Sequence, residues 1–170
     1  AVLPEDSETS KWKFDELIEF VNSEEGRAGD PARGAVVFEE ALCLKCHRYG
    51  DEGESMGPDL TSVRSRFTRK EILQSMLYPS HIIPSQYTAK TLLLEDGRQI
   101  AGIVGPGPEG EKIVLKDDGD KVSIREEEID EIFPSTVSAM HVGLLDELTL
   151  EQIADLFAYV SHLPDHGVAL

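Results

Sequence analysis

Residues 33–50 read RGAVVFEEALCLKCHRYG, and the rest of the chain is read outward from them. Asp30-Pro31 stands just before this stretch. An aspartate accepts hydrogen bonds from the unpaired N–H groups of a helix start, and proline suits the first helical position because its missing N–H is not needed there. The pair therefore predicts a helix with Val36, Val37 and Leu42 on its apolar face and Phe38 beside them. Cys43-Leu44-Lys45-Cys46-His47 follows at once, and these two cysteines are all that the chain has.

The C-x-x-C-H pattern has a chemical reading. Two thiols at this spacing reach both vinyl groups of one haem and add across them as thioethers. The next residue, His47, then lies under the iron as its proximal ligand. Three other readings use the same residues. A dithiol redox pair follows a strand in a βαβ pattern, and no such pattern occurs here. Zinc wants a second ligand pair, but no other cysteine exists and His81, His141, His162 and His166 show no paired spacing. A disulfide would close a very small loop and stabilise little. One covalently attached haem c is the expectation carried forward.

On the N-terminal side, residues 1–10 read as a polar, disordered start. Ser10 is placed to cap a helix of about ten residues carrying Trp12, Leu17, Ile18 and Val21. Residues 23–29 read as a loop. On the C-terminal side, YGDEGESMGPDLTS (49–62) is a Gly-rich loop, and Thr68-Arg69-Lys70-Glu71 is a capping box that opens a helix through Ile72, Leu73, Met76 and Leu77. From Gln86 the apolar period changes from helical to alternating. Residues 87–94, 98–104, 111–116 and 121–125 read as strands, with a short fifth through Ile129, Ile132 and Phe133. Asp96-Gly97 and Asp118-Gly119 are hairpin signals. A second capping box, Thr149 to Gln152, opens a last helix through Ile153, Leu156, Phe157 and Val160, stopped by Pro164. The expected organisation is an N-terminal extension with one helix (1–30), a helical domain (31–85 with 134–170), and a β insertion (86–133) forming a small antiparallel sheet or barrel. The fold class is α+β.

Four stretches together resemble a known family: RGAVVFEEALCLKCHRYG (33–50), MGPDLTSVRSRFTRKEILQSMLYPSHIIPSQY (56–87), DGRQIAGIV (96–104) and SAMHVGLLDELTLEQIADLFAYV (138–160). The chain resembles the planctomycete/verrucomicrobial type of haem-binding domain over nearly its whole length. The resemblance implies a class I cytochrome c helical core interrupted by a β insertion before the distal loop. In such cytochromes a proline after the haem motif offers its carbonyl to the proximal imidazole, a role that falls here to Pro58. Gly34 and Phe38 match the glycine and aromatic positions of the N-terminal helix, and Leu156 and Tyr159 match their partners on the C-terminal helix. The family's distal loop runs Ser-x-Met-Pro-x-Gly-Leu-Leu, and its methionine aligns with Met140. His47/Met140 ligation is the implied iron site, with a thioether that raises the potential. His141 stands where the family has proline, which makes its imidazole the competing ligand. Met56 and Met76 are the remaining sulfurs. Met76 lies on an apolar helical face, and Met56 falls on the proximal side.

Arg64, Arg66 and Arg69 form a basic cluster in an acidic chain. Haem propionates want charge-assisted donors, so Arg64 and Arg66 are candidate haem-binding residues; surface charge neutralisation is the other reading.

The chain carries 33 acidic against 16 basic residues and a formal charge of -17. That balance argues against nucleic acid, which needs a basic footprint. It favours a redox partner protein with a basic docking face, by steering encounter. No apolar run approaches the ~18 residues that span a bilayer, and Ala1-Val2-Leu3-Pro4 shows no signal-peptide pattern. The expected function is single-electron transfer by c-type haem rather than catalysis. The resemblance further implies service as the electron-accepting domain of a larger secreted oxidoreductase, and thioether attachment implies a periplasmic or otherwise extracytoplasmic site. The alternative is ligand sensing or peroxidase-like chemistry at an open distal site, with His141 as the nearby acid/base.

Overall fold

The structure is a computed structural model that describes residues 2–6 and 8–161. The expectations placed on His162, Pro164 and His166 lie outside the described residues. The chain divides into two compact units, Ala1–Leu77 with Gly143–Leu170, and Tyr78–Val142. The leading helix belongs to the first unit, and the second unit is wider than 86–133 at both ends.

In the first unit the helices are α1 (Phe14–Asn22), α2 (Glu24–Arg27), α3 (Pro31–Glu40), α4 (Val63–Arg66), α5 (Arg69–Leu77) and α6 (Leu150–Val160), with a small hairpin of β1 (Arg48–Tyr49) and β2 (Glu52–Gly53). Helices α3, α5 and α6 start on local chemistry that the sequence displays. The Asp30 carboxylate accepts from the Ala32 and Arg33 N–H groups, which opens α3. Glu71 accepts from the Thr68 N–H at 2.7 Å before α5. Thr149 and Gln152 form the reciprocal capping box of α6.

The main packing event of this unit is α3 against α6. A Cβ added at Gly34 would fall 2.0 Å from the Asp155 carbonyl oxygen, so only glycine lets the two backbones approach this closely. Val37, Phe38, Ile153, Leu156 and Phe157 are buried around that crossing. On the other side, Phe14, Leu17 and Val21 of α1 and Ile72 and Leu73 of α5 supply buried side chains.

Three local expectations are corrected here. Helix α1 begins at Phe14, not after Ser10, and Lys13 at its N-cap makes no side-chain cap. The Asp6 carboxylate accepts from the Phe14 N–H at 3.2 Å instead. Trp12 lies ahead of the helix because its indole N–H is spent on a distant carbonyl, that of Leu145. Residues 23–29 contain the short α2, whose start is capped by the Ser23 hydroxyl accepting from the Gly26 N–H. Val36 and Leu42 do not join the buried face of α3 and are 55% and 48% exposed. The buried stripe runs through Gly34, Val37 and Phe38, which leaves Val36 to the side. Leu42 has left the helix altogether and adopts the left-handed conformation at φ 62°.

The second unit is a five-stranded antiparallel sheet of β3 (Lys90–Leu94), β4 (Gln99–Pro106), β5 (Glu111–Leu115), β6 (Lys121–Arg125) and β7 (Ile129–Pro134), in the order β6-β5-β4-β3-β7. Strand β4 is shared: Gln99–Gly102 pair with β3 and Ile103–Pro106 with β5. The sheet curls on itself, because Leu92 and Leu94 of β3, Val114 of β5 and Ile124 of β6 form one buried cluster with Ile129 of β7 packed against it. Both Asp-Gly pairs close hairpins. The Leu94 N–H donates to Arg98 and its carbonyl accepts from Gly97, which leaves Glu95, Asp96 and Gly97 as the loop. Gly97 and Gly119 sit at φ 85° and 78°, the left-handed position that ends a type I turn in such three-residue loops. No helix among the described residues is long and apolar enough to cross a membrane.

Candidate cofactor site

The chemistry-bearing motif begins where α3 ends. After Ala41 the chain reverses through Leu42, and Cys43–Lys45 form one 3-10 turn. The Cys43 carbonyl accepts from both the Cys46 and His47 N–H groups, at 3.2 and 2.8 Å. This single turn gathers both cysteines and the histidine. The two cysteines are half-buried and not bridged to each other. Burial pushes the Cys43 thiol up to about 12. At neutral pH it is therefore a protonated thiol and not the activated thiolate of a dithiol redox pair.

The loop after the motif folds back on it. The Glu54 N–H donates to the Leu44 carbonyl and the Gly57 N–H to the Cys46 carbonyl, the latter at 2.7 Å. At Gly57 a side chain would meet the Cys46 carbonyl oxygen at 2.8 Å and His47 Nδ1 at 3.2 Å. The next residue is Pro58, and its carbonyl oxygen lies 2.7 Å from His47 Nδ1. A carbonyl only accepts, so the imidazole proton sits on Nδ1 and the Nε2 lone pair is left for an electrophile. Burial holds the His47 pKa below its ordinary value, while the bond to Pro58 pulls the other way. The neutral tautomer is thereby favoured, which is the form that binds metal.

Beneath this loop lies an aromatic cluster. Tyr49 stacks on Tyr159 with ring centroids 4.5 Å apart, and Phe38 meets both rings at 5.6 and 5.3 Å. The Tyr49 hydroxyl donates to the Tyr159 carbonyl at 2.9 Å. This bond ties the residue two places after His47 to α6. The Arg33 guanidinium makes a second tie, donating to both oxygens of the buried Asp155 carboxylate at 2.7 and 2.8 Å. Asp155 Oδ1 also accepts from the Asp30 N–H at 2.6 Å. These contacts hold the helix that delivers Cys43 against the last helix. Asp155 and Tyr49 were not singled out from sequence. An acid inside the apolar run Ile153–Phe157, opposite an arginine next to Gly34, was the available signal for the first.

The three arginines separate. Arg69 is half-buried and donates to the Val21 and Gly26 carbonyls at 3.0 and 2.9 Å, with its guanidinium 5.0 Å from the Phe157 ring. It is committed to the last turns of α1 and α2. Arg66 is exposed and donates to the Asp59 carbonyl at 2.6 Å. Arg64 is exposed. Met140 is half-buried in the second unit, where its N–H donates to the Ser138 hydroxyl and the Ser138 N–H in turn to Ser80. His141 is exposed.

Among the described residues no three His, Cys, Asp or Glu side chains converge to hold a metal ion. Two adjacent unbridged thiols and one oriented imidazole are, however, the complement that a covalently attached haem requires. The residues fit that group: Cys43 and Cys46 would carry the thioethers and His47 Nε2 would face the iron. Comparison of the sequence with family models and with curated proteins finds no match.

Proposed function

We propose that the chain is a c-type cytochrome that binds one haem through Cys43, Cys46 and His47 and moves single electrons. The observation that carries this reading is the 2.7 Å approach of His47 Nδ1 to the Pro58 carbonyl within the C-x-x-C-H turn. A dithiol redox pair has no use for an imidazole held by its far nitrogen beside a Cys43 thiol that burial keeps protonated, and a zinc ion would want further ligands, which do not converge on the motif among the described residues. An iron ligand does, because the bond fixes the ring and makes Nε2 the better donor. When bound, haem supplies a one-electron couple. The chain's part is to hold the imidazole, through the Pro58 carbonyl and the loop that folds back on the motif.

Several further readings go with this one. The crossing of α3 and α6 at Gly34, with Phe38 against Tyr159, supports a class I cytochrome core of the planctomycete/verrucomicrobial type. Met140 is the proposed distal ligand, and Arg64 and Arg66 remain the proposed donors to the propionates. The net charge of -17 supports a partner with a basic docking face. Thioether attachment supports an extracytoplasmic site, with the domain accepting electrons from a larger secreted oxidoreductase.

The test is expression alongside cytochrome c maturation machinery, followed by intact mass under denaturing conditions and a visible spectrum. The expected result is one haem that survives denaturation and is lost when Cys43 and Cys46 are both replaced by Ala. A far-red Met-to-iron charge-transfer band should be present and should vanish in Met140→Ala. Wild-type protein without covalent haem would overturn the proposal. A high-spin spectrum would replace electron transfer by ligand binding at an open distal site.

A further inference from the structure

The chain has four tyrosines, and two of them meet beside the C-x-x-C-H turn, within the helical unit. Tyr49 follows His47 by two residues on β1, and its ring centroid lies 4.5 Å from that of Tyr159 on α6. The interplanar angle is 36°, and Phe38 packs against both rings. The two hydroxyls have different surroundings. That of the buried Tyr49 donates to the Tyr159 carbonyl, an acceptor that shares a proton but does not take it away. Tyr159 is half-buried, and burial and then the charge of Glu52 hold its hydroxyl above the ordinary tyrosine value. Glu52 is exposed and stands opposite Tyr49 in the β1–β2 hairpin. The cluster therefore runs from the residue after next to the candidate iron ligand, across one ring contact, to a phenol with a carboxylate and water at hand.

We propose that Tyr159, in ring contact with Tyr49, is a one-electron donor that shields the haem site from hydrogen peroxide. The proposal rests on the haem reading above. Reduction of one peroxide to two waters consumes two electrons and two protons. In the ferric holo-protein the haem gives one of the electrons, and the chain gives the other. Tyr159 gives it by losing an electron together with its hydroxyl proton, which leaves a neutral phenoxyl radical. The proton enters the water beside Glu52, and water supplies the two protons that peroxide takes up. Tyr49 passes the electron on through its ring but does not rest as the radical, because its hydroxyl proton has no base to receive it.

The experiment treats ferric holo-protein, wild type and Tyr159→Phe, with excess hydrogen peroxide in the presence of a nitrosoalkane spin trap. The radical is read by electron paramagnetic resonance and located by peptide mass. Phenylalanine keeps a ring in the cluster and removes only the hydroxyl. Tyr78 and Tyr87, in the other unit, are internal controls. Wild type should give a tyrosyl signal with the trap on the peptide that carries Tyr159. Tyr159→Phe should lose that signal and that adduct, and its haem absorbance should bleach faster. The location of the trap in wild type does not depend on how well the variant folds. Trap found on Tyr49, Tyr78 or Tyr87 instead, or no tyrosyl radical in a wild type that carries covalent haem, overturns the proposal. A wild type without covalent haem overturns the haem reading itself, and the two failures are thus told apart.

Discussion

The two units of this protein are held together by different means. In the helical unit, segments far apart in sequence meet through a few specific contacts. Arg33 and Asp30 meet Asp155, Tyr49 meets Tyr159, Arg69 meets the ends of α1 and α2, and Trp12 meets Leu145. In the β unit, successive strands pair with their neighbours through tight hairpins around an apolar cluster, and the one distant pairing is β3 with β7. The first arrangement concentrates stability in single atoms at a crossing, and the second spreads it along ladders. The motif residues Cys43, Cys46 and His47 lie in the first kind of unit, where the helix preceding them is fixed by few points.

Three substitutions test that contrast. Gly34→Ala should be the most damaging. Its methyl would meet backbone rather than a flexible side chain, so α3 and α6 must separate. A loss of about 3 kcal/mol or more is expected in chemical denaturation, the upper range for overpacking a tight contact. A loss under about 1 kcal/mol would mean that the crossing is looser than described.

Asp155→Asn comes next. It removes the charge that Arg33 grips while keeping an acceptor for the Asp30 N–H. About 2–3 kcal/mol is expected, the range for hydrogen bonds to a charged group. The hydrogen bonds from Arg33 hold the Asp155 carboxyl below its ordinary value of 3.8. A carboxylate with a depressed pKa stabilises the fold above its unfolded pKa, and this contribution fades as pH falls through the folded value. The gap between wild type and Asp155→Asn should therefore be full at pH 6 and shrink below about pH 4. A gap that does not change with acid would place the effect in packing and not in the charge.

Gly97→Ala gives the β-unit counterpart. The left-handed φ of 85° penalises any side chain, but nothing lies within 4 Å to clash with one. The expected loss is about 1–2 kcal/mol, the cost of that backbone region alone. A loss equal to that of Gly34→Ala would erase the distinction between the units.

Against this background the readable and unreadable parts of the chain separate by range. The capping boxes at Thr68 and Thr149 and the Asp30-Pro31 start depend on residues three or four places apart, and each helix begins where those residues stand. The four main strands fall within a few residues of the alternating stretches, because period-two burial is a local pattern. The start of α1 departs from the expectation for the opposite reason. Ser10 is a good cap by composition, yet Trp12 is drawn out of the helix by a carbonyl in a loop more than a hundred residues away.

The sequence by itself determined the spacing of two thiols and an imidazole, the helix starts, and the change from helical to alternating period. All of these are short-range properties carried by residue type and separation. Only the tertiary structure decided which groups would be buried together. It put Asp155 on Arg33, Tyr49 on Tyr159 and Arg69 on helix ends, and it brought His47 Nδ1 to the Pro58 carbonyl. Those pairings follow from desolvation. A polar group taken out of water must find a partner in space, and the sequence does not state which distant residue packing will bring to it.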